Sequence, residues 1–347
     1  MLDDLKYIHQ RDAQDALGIA EKQWQQYQND FGFAWEPPKE IHDVVVAGMG
    51  GSGLAAKAYQ TVGNLGVPFS IVQDYDLPSR VNQNTLLVCS SYSGNTEETL
   101  SVFDTALSKG DGAERPMIVV IASGGKLLDQ AKEHHLPYIQ LPNGYQPRFT
   151  FGYQYRALME VLSQTPFVTD ELAVIADSAD WLKDQMLDWL AIEPVSKNPA
   201  KQLALEIMGK SPVIYASSKL FPAAYKWKIS FNENAKNVAW CNQLPEFNHN
   251  EFLGWTSHPV DKPYAVVDLR SSLDHPQVIK RFEATDRLLS GKRPAANVIQ
   301  AQGDTLLKQL MWTIAYGDFV SLYLALLNGL NPTPVDLIEN LKKALAE

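Results

Sequence analysis

The run Val44-Val45-Val46-Ala47-Gly48-Met49-Gly50-Gly51-Ser52-Gly53 decides the fold of the first half of this chain of 347 residues. Apolar, mostly β-branched residues stop at a group of glycines, and a helical pattern follows them. This order is typical of a parallel strand that enters a helix through a tight turn. Backbone N–H groups and the positive end of the helix dipole meet at such a turn and favour an anion. The run therefore predicts a parallel α/β sheet with an anion-binding turn at its edge.

A second turn of this kind follows a later strand-like run, in the sequence Leu86-Leu87-Val88-Cys89-Ser90-Ser91-Tyr92-Ser93-Gly94-Asn95-Thr96. Two of its serines alternate with the tyrosine, so their hydroxyl groups can face the same way along an extended turn. Asn95 and Glu98 have the spacing of an N-cap and its capping-box partner, which places Thr96 in the first helical turn. Two such turns at one sheet edge indicate a phosphorylated small molecule. The residues expected to bind its phosphate are Gly50, Gly51, Ser52, Ser91, Ser93 and Thr96.

Strand-like runs alternate with helical patterns in two regions of the chain. The expected strands span residues 43–47, 69–73, 85–89, 117–122 and 137–141 in the first region, and 213–216, 237–241, 264–269 and 297–301 in the second. A helix is expected at 13–31, before the first strand. Alternation of this kind predicts parallel sheets with helices on both faces. We therefore expect an α/β protein of two doubly wound, flavodoxin-like three-layer domains, at residues 1–154 and 155–347, the second including the helices that join the two sheets.

Composition and charge argue against several classes of partner. The net charge of −10 and the lack of a basic stripe disfavour binding to nucleic acid or to an anionic membrane. The apolar segment 310–330 has Asp318 in its middle, so a buried helix explains it better than a membrane span does. Cys89 and Cys241 lie in apolar runs, and buried free thiols are typical of the reducing cytoplasm.

The first turn also fits a different function. Residues 48–53 match the dinucleotide-binding pattern G-x-G-x-x-G, and the next strand ends at Asp74, near where a ribose-binding acid is expected. An NAD(P)-dependent oxidoreductase is therefore an alternative. The hydroxyl of Ser52 and those of the second turn count against it, because a pyrophosphate clamp does not need them.

Taken together, the pattern G-x-G-G-S-G followed by S-x-S-G-x-T resembles the SIS (sugar isomerase) domain, which grips the phosphate of phosphosugars through these loops. Segments at 146–153, 233–236, 245–251 and 332–335 make nearly the whole chain similar to the bifunctional phosphoglucose/phosphomannose isomerases. The resemblance implies two SIS-type domains. It also implies an isomerase that converts glucose 6-phosphate, and mannose 6-phosphate as well, to fructose 6-phosphate through a cis-enediolate. SIS domains also occur in regulators, so a non-catalytic phosphosugar-binding regulator remains an alternative, as does an amino-sugar phosphate isomerase.

The resemblance further implies roles for particular residues. Glu233 ends a helical pattern and matches the family's base for C1 and C2, although Glu206 and Glu246 are acids of the same type. His249 matches the ring-opening histidine, which in the family enters the site from the neighbouring subunit of a homodimer. Arg148 resembles the arginine that stabilises the enediolate.

Two residues near the C-terminus complete the expected site. Lys342 resembles the ring-opening lysine, with Lys343 adjacent to it, and Thr333 is the candidate for admitting both C2 epimers. The isomerisation is redox-neutral, and the sequence has no metal-ligand spacing of the H-x-x-H or C-x-x-C type. We therefore expect no metal and no other cofactor, with a sugar 6-phosphate as the small-molecule ligand.

Overall fold

The computed structural model describes residues 1–63, 65–110, 114–168, 171–257 and 263–345. It contains two compact units, each built on a parallel sheet of its own. The sheet A unit consists of Lys22–Lys183, and the sheet B unit consists of Met1–Glu21 together with Asp184–Glu347.

The strands and helices are numbered in chain order. The strands are β1 (Asp43–Ala47), β2 (Phe69–Val72), β3 (Thr85–Ser90), β4 (Met117–Ala122), β5 (Tyr138–Gln140), β6 (Ser211–Ser217), β7 (Trp240–Leu244), β8 (Tyr264–Arg270) and β9 (Asn297–Gln300). The α-helices are α1 (Leu5–Arg11), α2 (Ala16–Glu21), α3 (Gln23–Tyr27), α4 (Gly50–Val62), α5 (Glu97–Ser108), α6 (Gly125–Glu133), α7 (Phe151–Ser163), α8 (Glu171–Gln185), α9 (Pro199–Ile207), α10 (Phe221–Asn234), α11 (Glu251–Gly254), α12 (Pro276–Leu288), α13 (Leu306–Leu327) and α14 (Asp336–Leu345). Short 3-10 helices lie at Pro147–Phe149, Leu187–Trp189 and Glu246–His249.

In the sheet A unit the strands pair in parallel, in the order β2-β1-β3-β4-β5. The central strands β1, β3 and β4 are almost wholly buried, which explains why they are continuous apolar runs. Helices α5 and α6 bury Phe103 and Leu127 against this sheet, and burying a side chain of that size contributes about 1.5–3 kcal/mol. The strand order reverses between β1 and β3. In a doubly wound sheet the ligand crevice lies at that point, outside the carboxyl ends of the strands.

In the sheet B unit the strands pair in parallel in the order β7-β6-β8-β9. Helix α13 packs against α9 and α10 beside this sheet. By length and composition α13 could cross a membrane, but 94% of its most apolar 18-residue stretch is buried inside the protein. The buried helix predicted at 310–330 is therefore confirmed.

A buried ion pair joins α10 to α13. Lys226 Nζ contacts Asp318 Oδ1, and Ser230 Oγ lies 2.7 Å from both of these atoms. The three side chains are buried. Since an unpaired buried charge is strongly unfavourable, a shift of one helix along the other that separated this pair would be costly.

The predicted fold class is confirmed, because both sheets are parallel and helices connect their strands. One strand is displaced from its expected position at 237–241, since β7 begins at Trp240. The reason lies at the end of α10. Lys236 adopts a φ of +51°, and the Asn237 N–H still bonds back to the carbonyl oxygen of Phe231. Residues up to Asn237 are still bonded to α10, so β7 cannot begin at the expected position.

The helix expected at 13–31 is broken into α2 and α3. Helix α2 packs with α13 in the sheet B unit, whereas α3 packs with α7 in the sheet A unit. The compact units therefore have different limits from the expected domains 1–154 and 155–347. Helix α7 stays with sheet A because it packs against α4 and β4, and the first 21 residues stay with the sheet B unit.

Candidate active site

The first anion-binding turn joins β1 to α4 at the carboxyl edge of sheet A. Helix α4 begins at Gly50, whose φ of +48° lies in the left-handed region that glycine adopts without strain. A Cβ on Gly53 would lie 2.4 Å from the carbonyl oxygen of Gly48, so the turn can close only around a glycine. The N–H groups of Gly50 and Gly51 stand at the first two helical positions, which have no intrahelical acceptor. They form a donor pair for an anion at this edge.

The second turn joins β3 to α5 and carries the hydroxyl groups. Ser91 Oγ lies 2.8 Å from Thr96 Oγ1 and accepts a hydrogen bond from the Gly94 N–H. Ser93 is exposed at the tip of the turn. Gly94 has a φ of +67°, and a Cβ there would lie 1.8 Å from the carbonyl oxygen of Gly124. Glycine at this position therefore lets the turn pack directly on the start of α6.

The predicted capping box of Asn95 and Glu98 is wrong. Helix α5 begins at Glu97 with Thr96 at the N-cap position, and no side chain caps it. Asn95 is engaged elsewhere: its Oδ1 accepts from the Lys126 N–H in the first turn of α6, and its Nδ2 donates to the carbonyl oxygen of Ser93. Because Asn95 caps the neighbouring helix, the N-terminal N–H groups of α5 are left for another acceptor.

The structure brings the two turns and the loop of Arg148 together. Ser52 Oγ accepts a hydrogen bond of 3.0 Å from the Tyr92 N–H, which joins the first turn to the second. A Cβ on Gly51 would lie 3.1 Å from the carbonyl oxygen of Pro147 and 3.7 Å from the nitrogen of Arg148. The phosphate-binding candidates and Arg148 therefore form one cluster where the strand order of sheet A reverses.

Arg148 is held firmly within this cluster. It is only 2% exposed, and its guanidinium lies 4.6 Å from the centre of the Phe149 ring. The 3-10 helix that carries it is fixed by Thr150 Oγ1, which donates to the carbonyl oxygen of Pro147, and by Gln26 Nε2, which donates to that of Phe149. Arginine stays protonated in proteins, so the loop presents a fixed positive charge.

Two phenols that contact Tyr145, in the segment before Arg148, are neutral at physiological pH. Burial raises the pKa of Tyr92 above its ordinary value. Burial, together with the neighbouring Tyr145, raises the pKa of Tyr153 to about 12. These side chains therefore add no negative charge to this segment.

Lys236 links the end of α10, where Glu233 lies, to the segment before Thr333 in the sheet B unit. Glu233 is the penultimate residue of α10 and is half-buried. Lys236 follows the helix, and its Nζ donates to the carbonyl oxygens of Glu233 at 2.9 Å, Asn331 at 3.1 Å and Pro332 at 2.9 Å. The segment that leads into Thr333 is thus fastened to the end of the helix that carries Glu233. The sequence alone predicts no role for Lys236, because no local pattern marks a lysine that bonds carbonyl oxygens distant in the chain.

His249 ends the 3-10 helix after β7 and is exposed. Its side chain makes no hydrogen bond or ion pair with the residues that the structure describes. The amides beside it are engaged with other groups: Asn248 bonds to Thr285 and Arg281, and Asn250 bonds to Glu246. The imidazole therefore stands on the surface of the sheet B unit without an orienting partner among the described residues.

Lys342 lies on α14 and is exposed, with its Nζ 2.8 Å from Glu339 Oε1. Lys343 follows it on the same helix, which has no buried residue. Of the alternative acids, Glu206 is exposed on α9, and Glu246 is exposed and accepts from Asn250. Across the described parts of the chain, no group of three or more His, Cys, Asp or Glu side chains has the geometry to hold a metal ion.

Comparison with known proteins identifies relatives of this chain. Residues 196–345 match the family model of the bacterial phospho-glucose isomerase C-terminal SIS domain. A bifunctional phosphoglucose/phosphomannose isomerase of Aquifex aeolicus is 33% identical over 90% of this chain and 94% of its own length. A D-glucosamine-6-phosphate 4-epimerase of Sulfolobus acidocaldarius is 36% identical, but over 63% of this chain and 66% of its own.

Solved structures share the fold. A glucose-6-phosphate isomerase like protein from Thermus thermophilus superimposes with a TM-score of 0.62 over 97% of this chain and 99% of its own, at 18% identity. That likeness concerns the fold alone, whereas the match to the Aquifex protein extends along almost the entire sequence of both proteins. The chain therefore belongs to the bifunctional phosphoglucose/phosphomannose isomerase family.

Proposed function

We propose that this protein interconverts glucose 6-phosphate and fructose 6-phosphate, and mannose 6-phosphate and fructose 6-phosphate, through a shared cis-enediolate. The observation that carries the proposal is the cluster at the edge of sheet A. There, two helix N-termini, a set of hydroxyl groups and the buried Arg148 guanidinium meet within one edge of the sheet. Membership of the family supports the same activity.

The phosphate is proposed to bind to the two turns. Gly50 and Gly51 supply backbone N–H groups, which suit an anion at a helix N-terminus. Ser52 Oγ accepts from the Tyr92 N–H, and its own hydrogen is left to donate to a phosphate oxygen. Ser91, Ser93 and Thr96 carry the further hydroxyl groups proposed to bind the phosphate; because Ser91 Oγ and Thr96 Oγ1 are hydrogen-bonded to each other, that pair has one hydrogen left to donate.

The proton transfer is proposed to use Glu233. In the open-chain aldose, the carboxylate removes the hydrogen from C2, and the same carboxylic acid returns it to C1 of the enediolate. The hydroxyl proton on O2 passes to O1 during the conversion, so the substrate is rearranged without net loss of electrons or protons. We assign to Arg148 the stabilisation of the negative charge that develops on the enediolate oxygen. The step calls for no metal and no nicotinamide.

Ring opening and specificity are assigned to the remaining residues. His249 and Lys342 are proposed to move the protons that open the pyranose or furanose ring, and Thr333 to accommodate both epimers at C2. We propose a homodimer in which His249 serves the partner's site, since the imidazole is exposed and lacks a partner among the described residues. We also propose a cytoplasmic location, because Cys89 and Cys241 are free thiols.

A coupled assay tests the proposal. Purified protein is given fructose 6-phosphate, and formation of glucose 6-phosphate and of mannose 6-phosphate is followed separately. We expect both products. A chain that binds fructose 6-phosphate without turnover would be a regulator. Conversion of glucosamine 6-phosphate at C4 would assign it the activity named for the Sulfolobus relative. Quenching or enhancement of NADH or NADPH fluorescence on binding would favour the oxidoreductase.

A further inference from the structure

Tyr92 joins four loops at the edge of sheet A. It lies between the two serines of the second turn and is 6% exposed. Its N–H donates to Ser52 Oγ at 3.0 Å, and its carbonyl oxygen accepts from the Ser123 N–H at 2.9 Å and from Ser123 Oγ at 2.6 Å. Its hydroxyl donates to the carbonyl oxygen of Pro142 at 2.8 Å and accepts from the Tyr145 N–H at 3.1 Å. Every polar group of the residue is thus engaged.

The hydroxyl bonds reach the segment that leads to Arg148. The 3-10 helix carrying Arg148 begins at Pro147, shortly after the two atoms that Tyr92 binds. The carbonyl oxygen of Pro147 lies only 3.1 Å from the position of a Cβ on Gly51, so this segment has little freedom to move against the first turn. A shift at Tyr145 would be transmitted to the guanidinium.

We propose that Tyr92 is a positioning residue, whose hydroxyl sets Arg148 against the phosphate-binding turns by fixing the segment from Pro142 to Pro147. The inference rests on the proposed function, since it takes Arg148 to act on the substrate. A phenol suits the task because one oxygen both donates and accepts. A phenylalanine would leave the Pro142 carbonyl and the Tyr145 N–H without this partner.

The test is Tyr92→Phe, with Tyr155→Phe as the matched control. Tyr155 is a buried tyrosine of the same unit, and its hydroxyl makes no hydrogen bond with the described residues. In the isomerase assay we expect Tyr92→Phe to lower kcat about 10- to 100-fold, the scale of a displacement near 1 Å at a reacting centre. KM is expected to stay within about threefold, because the phosphate contacts remain, and the control is expected to match the wild type. A kcat near that of wild type, or a loss confined to KM, would overturn the proposal.

A double variant separates this role from a general loss of packing. If Tyr92 acts through Arg148, Tyr92→Phe should have little further effect on kcat once Arg148→Lys is present. Effects that multiply would show that Tyr92 acts independently of Arg148 and would refute the inference. A wild-type chain without isomerase activity would instead overturn the proposed function, and this role with it, whereas an active wild type with an unaffected Tyr92→Phe would overturn this role alone.

Thermal unfolding of each variant shows whether it folds. If Tyr92→Phe does not, Ser123→Ala becomes the deciding variant, because it removes the Ser123 Oγ bond to Tyr92 and leaves the N–H bond. Because this bond holds the backbone of Tyr92, its loss should shift the Tyr92 hydroxyl away from the Pro142 carbonyl and the Tyr145 N–H and lower kcat about three- to tenfold. An unchanged kcat in that variant would contradict the proposal.

Discussion

Replacing Lys236 tests how the end of α10 is fastened. The residue has a left-handed backbone, with a φ of +51°, at a position where glycine is usual after a helix. Its ammonium lies within 3.4 Å of four carbonyl oxygens, those of Glu233, Asn234, Asn331 and Pro332. Two variants separate the contributions. Lys236→Met removes the charge and keeps the strained backbone, whereas Lys236→Gly removes both.

The magnitudes follow from these two features. Hydrogen bonds to a charged group contribute about 1.5–3 kcal/mol. Lys236 is exposed, so we take the lower end and expect Lys236→Met to lower the free energy of unfolding by about 1.5 kcal/mol. Glycine avoids the strain of the left-handed backbone, roughly 1–2 kcal/mol, which stabilises the folded protein. It also gives the unfolded chain more conformational freedom, which destabilises the folded protein by about 0.5–1 kcal/mol. Lys236→Gly should therefore be more stable than Lys236→Met by about 0.5–1 kcal/mol.

Urea unfolding followed by tryptophan fluorescence measures both differences, with the wild type as reference. The isomerase assay supplies a second readout, since both variants free the segment before Thr333 from the helix. We expect the ratio of mannose 6-phosphate to glucose 6-phosphate formed to change in the same direction in both. A methionine variant as stable as the wild type would refute the role of the ammonium. A glycine variant less stable than the methionine variant would refute the argument from the backbone.

The remaining predictions concern the substrate. Ser93→Ala and Thr96→Ala each remove a hydroxyl proposed to bond a charged phosphate, so KM should rise about tenfold or more; initial rates over a range of fructose 6-phosphate check this, and unchanged kinetics in both variants would count against the phosphate site. Glu233→Gln keeps the shape and removes the base, so kcat should fall about 10²- to 10⁴-fold with little change in KM. The wild type should also exchange the hydrogen on C2 with deuterated solvent during turnover, whereas Glu233→Gln should not. A near-normal kcat in Glu233→Gln would show that the base is another residue. Exhaustive dialysis against a chelator should leave turnover unchanged; a loss that a divalent ion restores would contradict the metal-independent scheme.

Much of sheet A could be predicted because its signals are local. The buried runs of β1 and β3 are continuous in the sequence, and the turns that follow them are marked by glycine and serine. The adjacency of the two turns follows from parallel topology, which places them at one edge. The roles proposed for Glu233 and His249, by contrast, rest only on the resemblance, because an acid near a helix end and an exposed histidine have no distinctive pattern.

The errors share a physical cause, which is competition from distant parts of the chain. Asn95 has the spacing of a cap for α5, yet its side chain caps α6, a helix formed some thirty residues later, with Lys126 as the partner. The helical pattern of 13–31 is interrupted between α2 and α3, which belong to different compact units. The late start of β7 depends on the backbone of Lys236. None of these partners can be read from the residues that they affect.

The Lys226–Asp318 pair has a consequence for how this chain can change through evolution. Losing either charge alone would leave the other buried and unpaired, which lowers the free energy of unfolding by about 3–5 kcal/mol. Exchanging both for apolar residues of similar volume is often neutral. A substitution at position 226 is therefore expected to be selected against unless position 318 changes at nearly the same time. Across descendants of this chain, the two sites should be inherited as a linked pair, with lysine and aspartate kept together or replaced together.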